Sequence, residues 1–181
     1  MMEKQAVSWV VERHEEIEAL INRYPERRSA VLPLLHLAQE ARGYLATEDV
    51  EAVAELVGIT PAEVTGIVSF YSLLHRQPRG RYTLTLCQNL PCVLAGAEAL
   101  AQHLRQRLGI APGETTPDGL LTLEETHECL AACDGPPVVQ VNLEYATHMT
   151  PEKVDRLLEA LRAASQEAAA PDGEEDDAGG L

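Results

Sequence analysis

The chain has 181 residues, of which 45% are hydrophobic and 24% charged, and a formal net charge of −15. That length and apolar content allow one medium domain or two small ones with a real core, while the acidic balance opposes contact with phosphate backbones or anionic lipid. No apolar run approaches the roughly 20 residues that span a bilayer, so membrane association is expected only through a partner. Six of the acids follow Ser165, and those before it still outnumber Lys and Arg, so the excess is not a tail effect alone.

The first 75 or so residues read as helices. The start, Met1 to Trp9, lacks the apolar core of a signal peptide, and Glu12, Glu15 and Glu16 follow it. Val10, Ile17, Leu20 and Ile21 mark one apolar face that ends near Tyr24-Pro25. Ser29 is placed to cap a second helix through Leu32, Leu35 and Ala38 to Gly43, with Pro33 near its first turn. Thr47, Glu48 and Asp49 open a third, which carries Val50, Val53, Ala54 and Val57 before Gly58. Thr60-Pro61-Ala62-Glu63 is a capping box, and the fourth helix is expected from Pro61 to about Leu74. The last two helices imitate a helix-turn-helix. The second of them offers no Lys or Arg to phosphate and begins with an acid, so packing of a small bundle accounts for the pattern and nucleic acid is not expected as a partner.

Pro78-Arg79-Gly80 marks a change of periodicity and a boundary between a helical bundle, residues 1–77, and an α/β domain, residues 78–165. Tyr82-Thr83-Leu84-Thr85-Leu86 alternates as a strand and delivers Cys87 at its end. Gln88 to Pro91 read as a loop carrying Cys92, followed by a helix from Val93 to Leu108 that stops at Gly109. Leu121 and Leu123 begin a second strand leading toward Cys129, and a loop from Cys129 to Pro137 precedes a third strand, Val138 to Asn142. A short fourth strand through Tyr145 and a helix opening at Thr150-Pro151 follow. The order β-α-β-β-β-α implies an α/β sandwich with cysteine loops at strand ends. Residues 166–181 are rich in Ala, Gly and acid and are expected to form an acidic, disordered tail.

The four cysteines stand as two close pairs, Cys87 with Cys92 and Cys129 with Cys133, and read as one metal site. Soft thiolates select zinc, copper(I) or iron–sulfur chemistry over magnesium and calcium. The first gap matches the C-x4-C half of the plant-type ferredoxin spacing, whereas zinc ribbons favour shorter gaps, so iron–sulfur is preferred and zinc stays open. Disulfides suit an even count but fit poorly with a start that shows no apolar core of a signal peptide, and isolated buried thiols rarely fall into two pairs. His127, two residues before Cys129, is a candidate ligand whose plainer reading is an exposed strand residue. No thioredoxin redox motif, Walker loop or dinucleotide fingerprint is present, so the chain is expected to hold a cofactor without a substrate pocket of its own. Four thiolates on a two-iron core accumulate negative charge, which predicts a low-potential one-electron carrier.

Gly66-Ile67-Val68-Ser69-Phe70-Tyr71-Ser72-Leu73-Leu74-His75, then Cys87-Gln88-Asn89-Leu90-Pro91-Cys92, then Cys129 through Val141-Asn142 closely resemble the 24-kDa subunit of respiratory complex I over about residues 8–163. The resemblance implies a thioredoxin-like domain after a helical bundle, and one [2Fe-2S] cluster ligated by Cys87, Cys92, Cys129 and Cys133. It further implies docking on a flavoprotein subunit that holds FMN and oxidises NADH, beside other iron–sulfur subunits of a peripheral arm on the cytoplasmic side of the membrane. Ala131 departs from the family, which usually has Gly there. The same subunit type serves NAD-linked hydrogenases and formate dehydrogenases; a zinc-stabilised interaction module is the reading from another class. His75, Arg76, Arg79 and Arg81 near the boundary read as an ordinary solvated loop, with a partner surface as the alternative.

Overall fold

The computed structural model describes residues 7–167, and the chain divides into two compact units between Arg79 and Gly80. The first unit is all helical: α1 (Ser8–Glu12), α2 (His14–Ile21), a short 3-10 turn (Arg27–Ala30), α3 (Val31–Arg42), α4 (Thr47–Val57) and α5 (Pro61–Phe70). Its core joins Trp9, Ile17, Leu34, Leu35, Val53, Val64 and Val68. The expected first helix is broken at Arg13, whose guanidinium reaches away to the Leu37 carbonyl at 3.2 Å and to Glu16 and Glu40. Ser29 does not cap α3 by its side chain; it lies in the 3-10 turn that leads into Val31, and Pro33 falls in a first turn where no N–H is needed.

The capping box of α5 forms, with Glu63 N–H donating to Thr60 Oγ1 at 3.3 Å and Thr60 N–H to Glu63 Oε2 at 2.9 Å. The helix ends at Phe70 and not near Leu74. Gln39 is the reason: its amide donates to the Leu73 carbonyl at 2.9 Å and accepts from His75 N–H at 2.7 Å, pulling this segment out of helical geometry. Helices α4 and α5 are bent by 115°, as in a helix-turn-helix, but Val64 and Val68 of α5 are spent on the bundle core. Among the described residues no single helix is long and apolar enough to cross a membrane.

One carboxylate organises this unit beyond what its helix-opening position suggests. Asp49 is 0% exposed; it accepts from the Trp9 indole N–H at 2.9 Å and from Ala46 N–H at 2.8 Å, with an Arg42 nitrogen at 3.7 Å. It therefore closes the first turn of α4 and ties α1 to it.

The second unit is a four-stranded mixed sheet in the order β2-β1-β3-β4, with strands β1 (Tyr82–Cys87), β2 (Leu121–Thr126), β3 (Val139–Val141) and β4 (Glu144–Ala146). Strands β1 and β2 are parallel, and the connection between them carries α6 (Leu90–Leu94) and α7 (Ala97–Leu108). The last helix, α8 (Pro151–Glu167), joins α7 through Asp155, which takes both His103 at 2.9 Å and Arg107 at 2.7 Å. Leu84, Leu86, Leu121 and Leu123 pack with Leu100, Leu104, Val154 and Leu158 in one core. Gln166 and Glu167 continue α8, while the rest of the acidic tail lies outside the described residues.

Two stability measurements follow, both readable through Trp9, the one tryptophan of the chain. Asp49→Ala strands the indole N–H and a helix-terminal N–H, and chemical denaturation should register a loss of about 3 kcal/mol; an unchanged midpoint would remove Asp49 from this role. The second concerns His75, whose buried Nδ1 has no partner and whose pKa is lowered to about 4, first by burial and then by Arg79. The unfolded chain takes up this proton near pH 6.5 and the folded chain does not, so stability is full above that pH and falls as pH drops toward about 4. In His75→Gln the fall over this window should be shallower than in the wild type.

Candidate metal centre

The register of β1 against β2 runs from Tyr82 beside Leu121 to Cys87 beside Thr126, so both strands leave the sheet at one end. Gln88 N–H donates to the Thr126 carbonyl at 2.7 Å and carries the pairing one residue further. Beyond it, the Asn89 side chain accepts from Leu90 N–H at 3.0 Å and donates to the His127 carbonyl at 2.9 Å. One side chain thus caps α6 and fastens it to the second cysteine loop. Antiparallel β3 returns to the same end, where the Val138 carbonyl accepts from Cys87 N–H at 3.1 Å.

These contacts bring the cysteines together. Cys87 and Cys92 are buried, hydrogen-bonded to each other and set in the sheet core, whereas Cys129 and Cys133 are exposed with their sulfurs 3.3 Å apart. Cys92 is not on a loop as expected but inside α6, because Asn89 caps that turn and Gly96, at φ +99°, separates it from α7. Two backbone donors point at sulfur: Ala131 N–H at Cys129, 3.4 Å away, and Val138 N–H at Cys92. The Cys92 thiol is pushed up to about 11, chiefly by burial and then by the neighbouring Cys87 and Cys133, with Val138 N–H acting the other way. Cys129 is held below its ordinary value by Ala131 N–H and then by Cys133, and Cys133 is raised by sharing its proton with Cys129.

The loop that makes this possible is tightly determined. Ala131 sits at φ +61°, the left-handed region where Gly is at home, so an Ala here keeps the donor at a strain cost of about 1 kcal/mol. Gly135 N–H donates to the Ala132 carbonyl at 3.2 Å, and the Gly135 carbonyl accepts from His148 N–H. A Cβ on Gly135 would come within 2.7 Å of the Thr147 Cβ and 3.2 Å of His148 Nε2. Neither glycine-like demand is visible from cysteine spacing, although Gly135 beside two prolines was a signal of close packing.

The donor set fits a two-iron core. Zinc would use the same soft thiols, gathered around one point at about 2.3 Å. Two adjacent pairs, each suited to one iron, are the alternative that four thiols allow. His127 lies just past the end of β2 and is engaged by its carbonyl alone, His103 pairs with Asp155, and His75 belongs to the other unit. Arg81 stacks on the Tyr82 ring at 5.6 Å.

Fold and site together define an α/β carrier of a four-thiol centre at the end of a mixed sheet, preceded by a helical bundle. Residues 17–162 match the family model of the thioredoxin-like [2Fe-2S] ferredoxins. The chain is 47% identical over 152 residues to an NADH-quinone oxidoreductase subunit of Rhizobium meliloti, covering 84% of this chain and 90% of that protein. It is 44% identical over 155 residues to an NADH-quinone oxidoreductase subunit of Thermus thermophilus, covering 84% and 85%. Among solved structures, an NAD+-reducing [NiFe]-hydrogenase in its air-oxidised state is similar, with a TM-score of 0.63, 25% identity and 76% of this chain covered. This chain spans about a quarter, 24%, of that hydrogenase chain. The protein belongs to the thioredoxin-like [2Fe-2S] ferredoxin family, as the resemblance to the 24-kDa subunit implied.

Gly135→Ala should drive the Cys133 loop away from Thr147 and lower the iron and sulfide bound per chain. Thr147→Gly in the same chain, by removing the clashing Cβ, should restore both; equal metal content in all three proteins would show that the close packing does not matter.

Proposed function

We propose that this chain is the [2Fe-2S] electron-transfer subunit of an NADH:quinone oxidoreductase of the complex I type. The observation that carries the reading is the convergence of all four cysteines at one sheet end, in a chain closely related to such subunits. Cys87 and Cys92 would hold one iron and Cys129 and Cys133 the other. When bound, the cluster supplies uptake and release of one electron at a time. The chain's own residues decide how that happens. Val138 and Ala131 N–H groups offset the negative charge that four thiolates gather, and burial of Cys87 and Cys92 keeps water from half the site.

The exposed side of the site, at Cys129 and Cys133, is where an electron passes to or from another protein. That partner is the subunit holding FMN and oxidising NADH, and further iron–sulfur subunits of the peripheral arm lie beyond it, on the cytoplasmic side of the membrane. This chain needs no span of its own for that placement. An equivalent place in an NAD-linked hydrogenase is the second reading, favoured by the hydrogenase likeness; the higher identity to the quinone oxidoreductase subunits, 44–47% against 25%, ranks it lower.

Protein purified without oxygen should contain two irons and two acid-labile sulfides per chain and give a spin-half EPR signal after dithionite reduction. One zinc without sulfide would overturn the redox function and leave a zinc-stabilised module. Replacing Cys87, Cys92, Cys129 or Cys133 singly by Ala should abolish the signal or recast it; a wild-type spectrum from any of the four would remove that residue from the ligand set.

A further inference from the structure

The two thiol pairs stand on different footings, and one amide joins them. Cys87 ends β1 and Cys92 lies in α6, both in the sheet core, whereas Cys129 and Cys133 follow β2 on an exposed loop. The β1–β2 ladder stops at Cys87 beside Thr126, with Gln88 N–H on the Thr126 carbonyl as its last bond. Past that point the loop is bonded elsewhere: Glu128 N–H turns back to Thr126 Oγ1, Ala131 N–H faces Cys129, and Gly135 pairs with Ala132 and His148. Asn89 reaches across. Its Nδ2 donates to the His127 carbonyl, two residues before Cys129, while its Oδ1 holds Leu90 N–H at the start of α6.

We propose that Asn89 is a positioning residue for the centre: by holding the His127 carbonyl to the start of α6, it sets the separation of the exposed thiol pair from the buried one and so how firmly the cluster is kept. The inference rests on the reading under Proposed function and adds a determinant outside the four cysteines. Bridging sulfides would fix the spacing between two irons, so thiol pairs that each hold one iron must match it within about 0.5 Å. The buried pair inherits its place from the sheet. The exposed pair does not, and a loop free to swing at His127 would exchange one ordered arrangement for many loose ones. Asparagine suits the position because its planar amide accepts on one arm and donates on the other. Serine would keep the cap but fall short of His127, and aspartate would turn a second oxygen on that carbonyl.

The test compares Asn89→Ser, which keeps an acceptor for Leu90 N–H, with Asn89→Ala, which loses both bonds, in the full chain purified without oxygen. Three quantities are read: the rate at which an added iron chelator strips the cluster, the EPR g-values after dithionite reduction, and amide hydrogen exchange along β1 and β2. Positioning predicts that both variants release iron at least about tenfold faster than the wild type, with shifted g-values, while the two strands stay as protected as before. A cap alone predicts that Asn89→Ser follows the wild type; an unchanged rate or an unchanged spectrum in that variant would overturn the proposal. Should a variant bind no cluster, hydrogen exchange decides. Protected strands then support positioning, and strands that have lost protection show a general loss of fold and refute it. A wild type without iron and sulfide fails the function itself, whereas a loaded wild type with indifferent variants fails this inference alone.

Discussion

The parallel pairing of β1 with β2 is the constraint on which the site depends. Cysteines far apart in sequence meet because the two strands, aligned from Tyr82 beside Leu121 to Cys87 beside Thr126, end at one edge of the sheet. Antiparallel strands in the same positions would send the second cysteine loop to the opposite end. A parallel pair also demands a long crossover, and this chain puts the demand to use: the crossover opens with α6, which carries Cys92. The antiparallel strand β3 then brings Val138 back to the same edge, so a sulfur-facing N–H is a by-product of sheet topology.

From that arrangement comes an asymmetric centre. One cysteine pair is rooted in the core formed by Leu84, Leu86 and α7, and the other rides on an exposed loop. The rooted pair inherits the rigidity of the sheet. The exposed pair depends on local devices, namely the left-handed backbone of Ala131 and the contact of Gly135 with Thr147. An electron carrier benefits from both halves, because a core-anchored half resists rearrangement as charge changes and an open half permits transfer.

Much of this was legible in the sequence where one force dominates. Alternation of Leu84 and Leu86 with threonines announced β1, the spacing of Leu100, Leu104 and Leu108 announced α7, and the Thr60 to Glu63 box announced the start of α5. The cysteine pairs announced a soft-metal site. What periodicity does not encode is which tertiary partner claims a polar group. Gln39 ends α5 from another helix, Arg13 breaks the first helix by reaching for α3, and Asp49 looks like an ordinary helix-opening acid until Trp9 lies against it. The same holds at the centre. Asn89 and Pro91 carried a helix-start signal that places Cys92 on α6, but the bond from Asn89 to the His127 carbonyl depends on the sheet.

The polar chemistry of the chain goes largely into its architecture. Its ionic contacts are spent on holding elements together: Asp155 joins α8 to α7 through His103 and Arg107, and Glu125 ties the end of β2 to Arg105. Of the described histidines, His103 is held on Asp155, His75 lies in the helical unit, and His148 donates its N–H to the Gly135 carbonyl beside the cysteine loop. The thiols are therefore left as the one soft, redox-competent donor set brought together among the described residues. Of that set, Cys129 and Cys133 are exposed while Cys87 and Cys92 are buried, so the loop pair is the part of the centre open to an approaching surface.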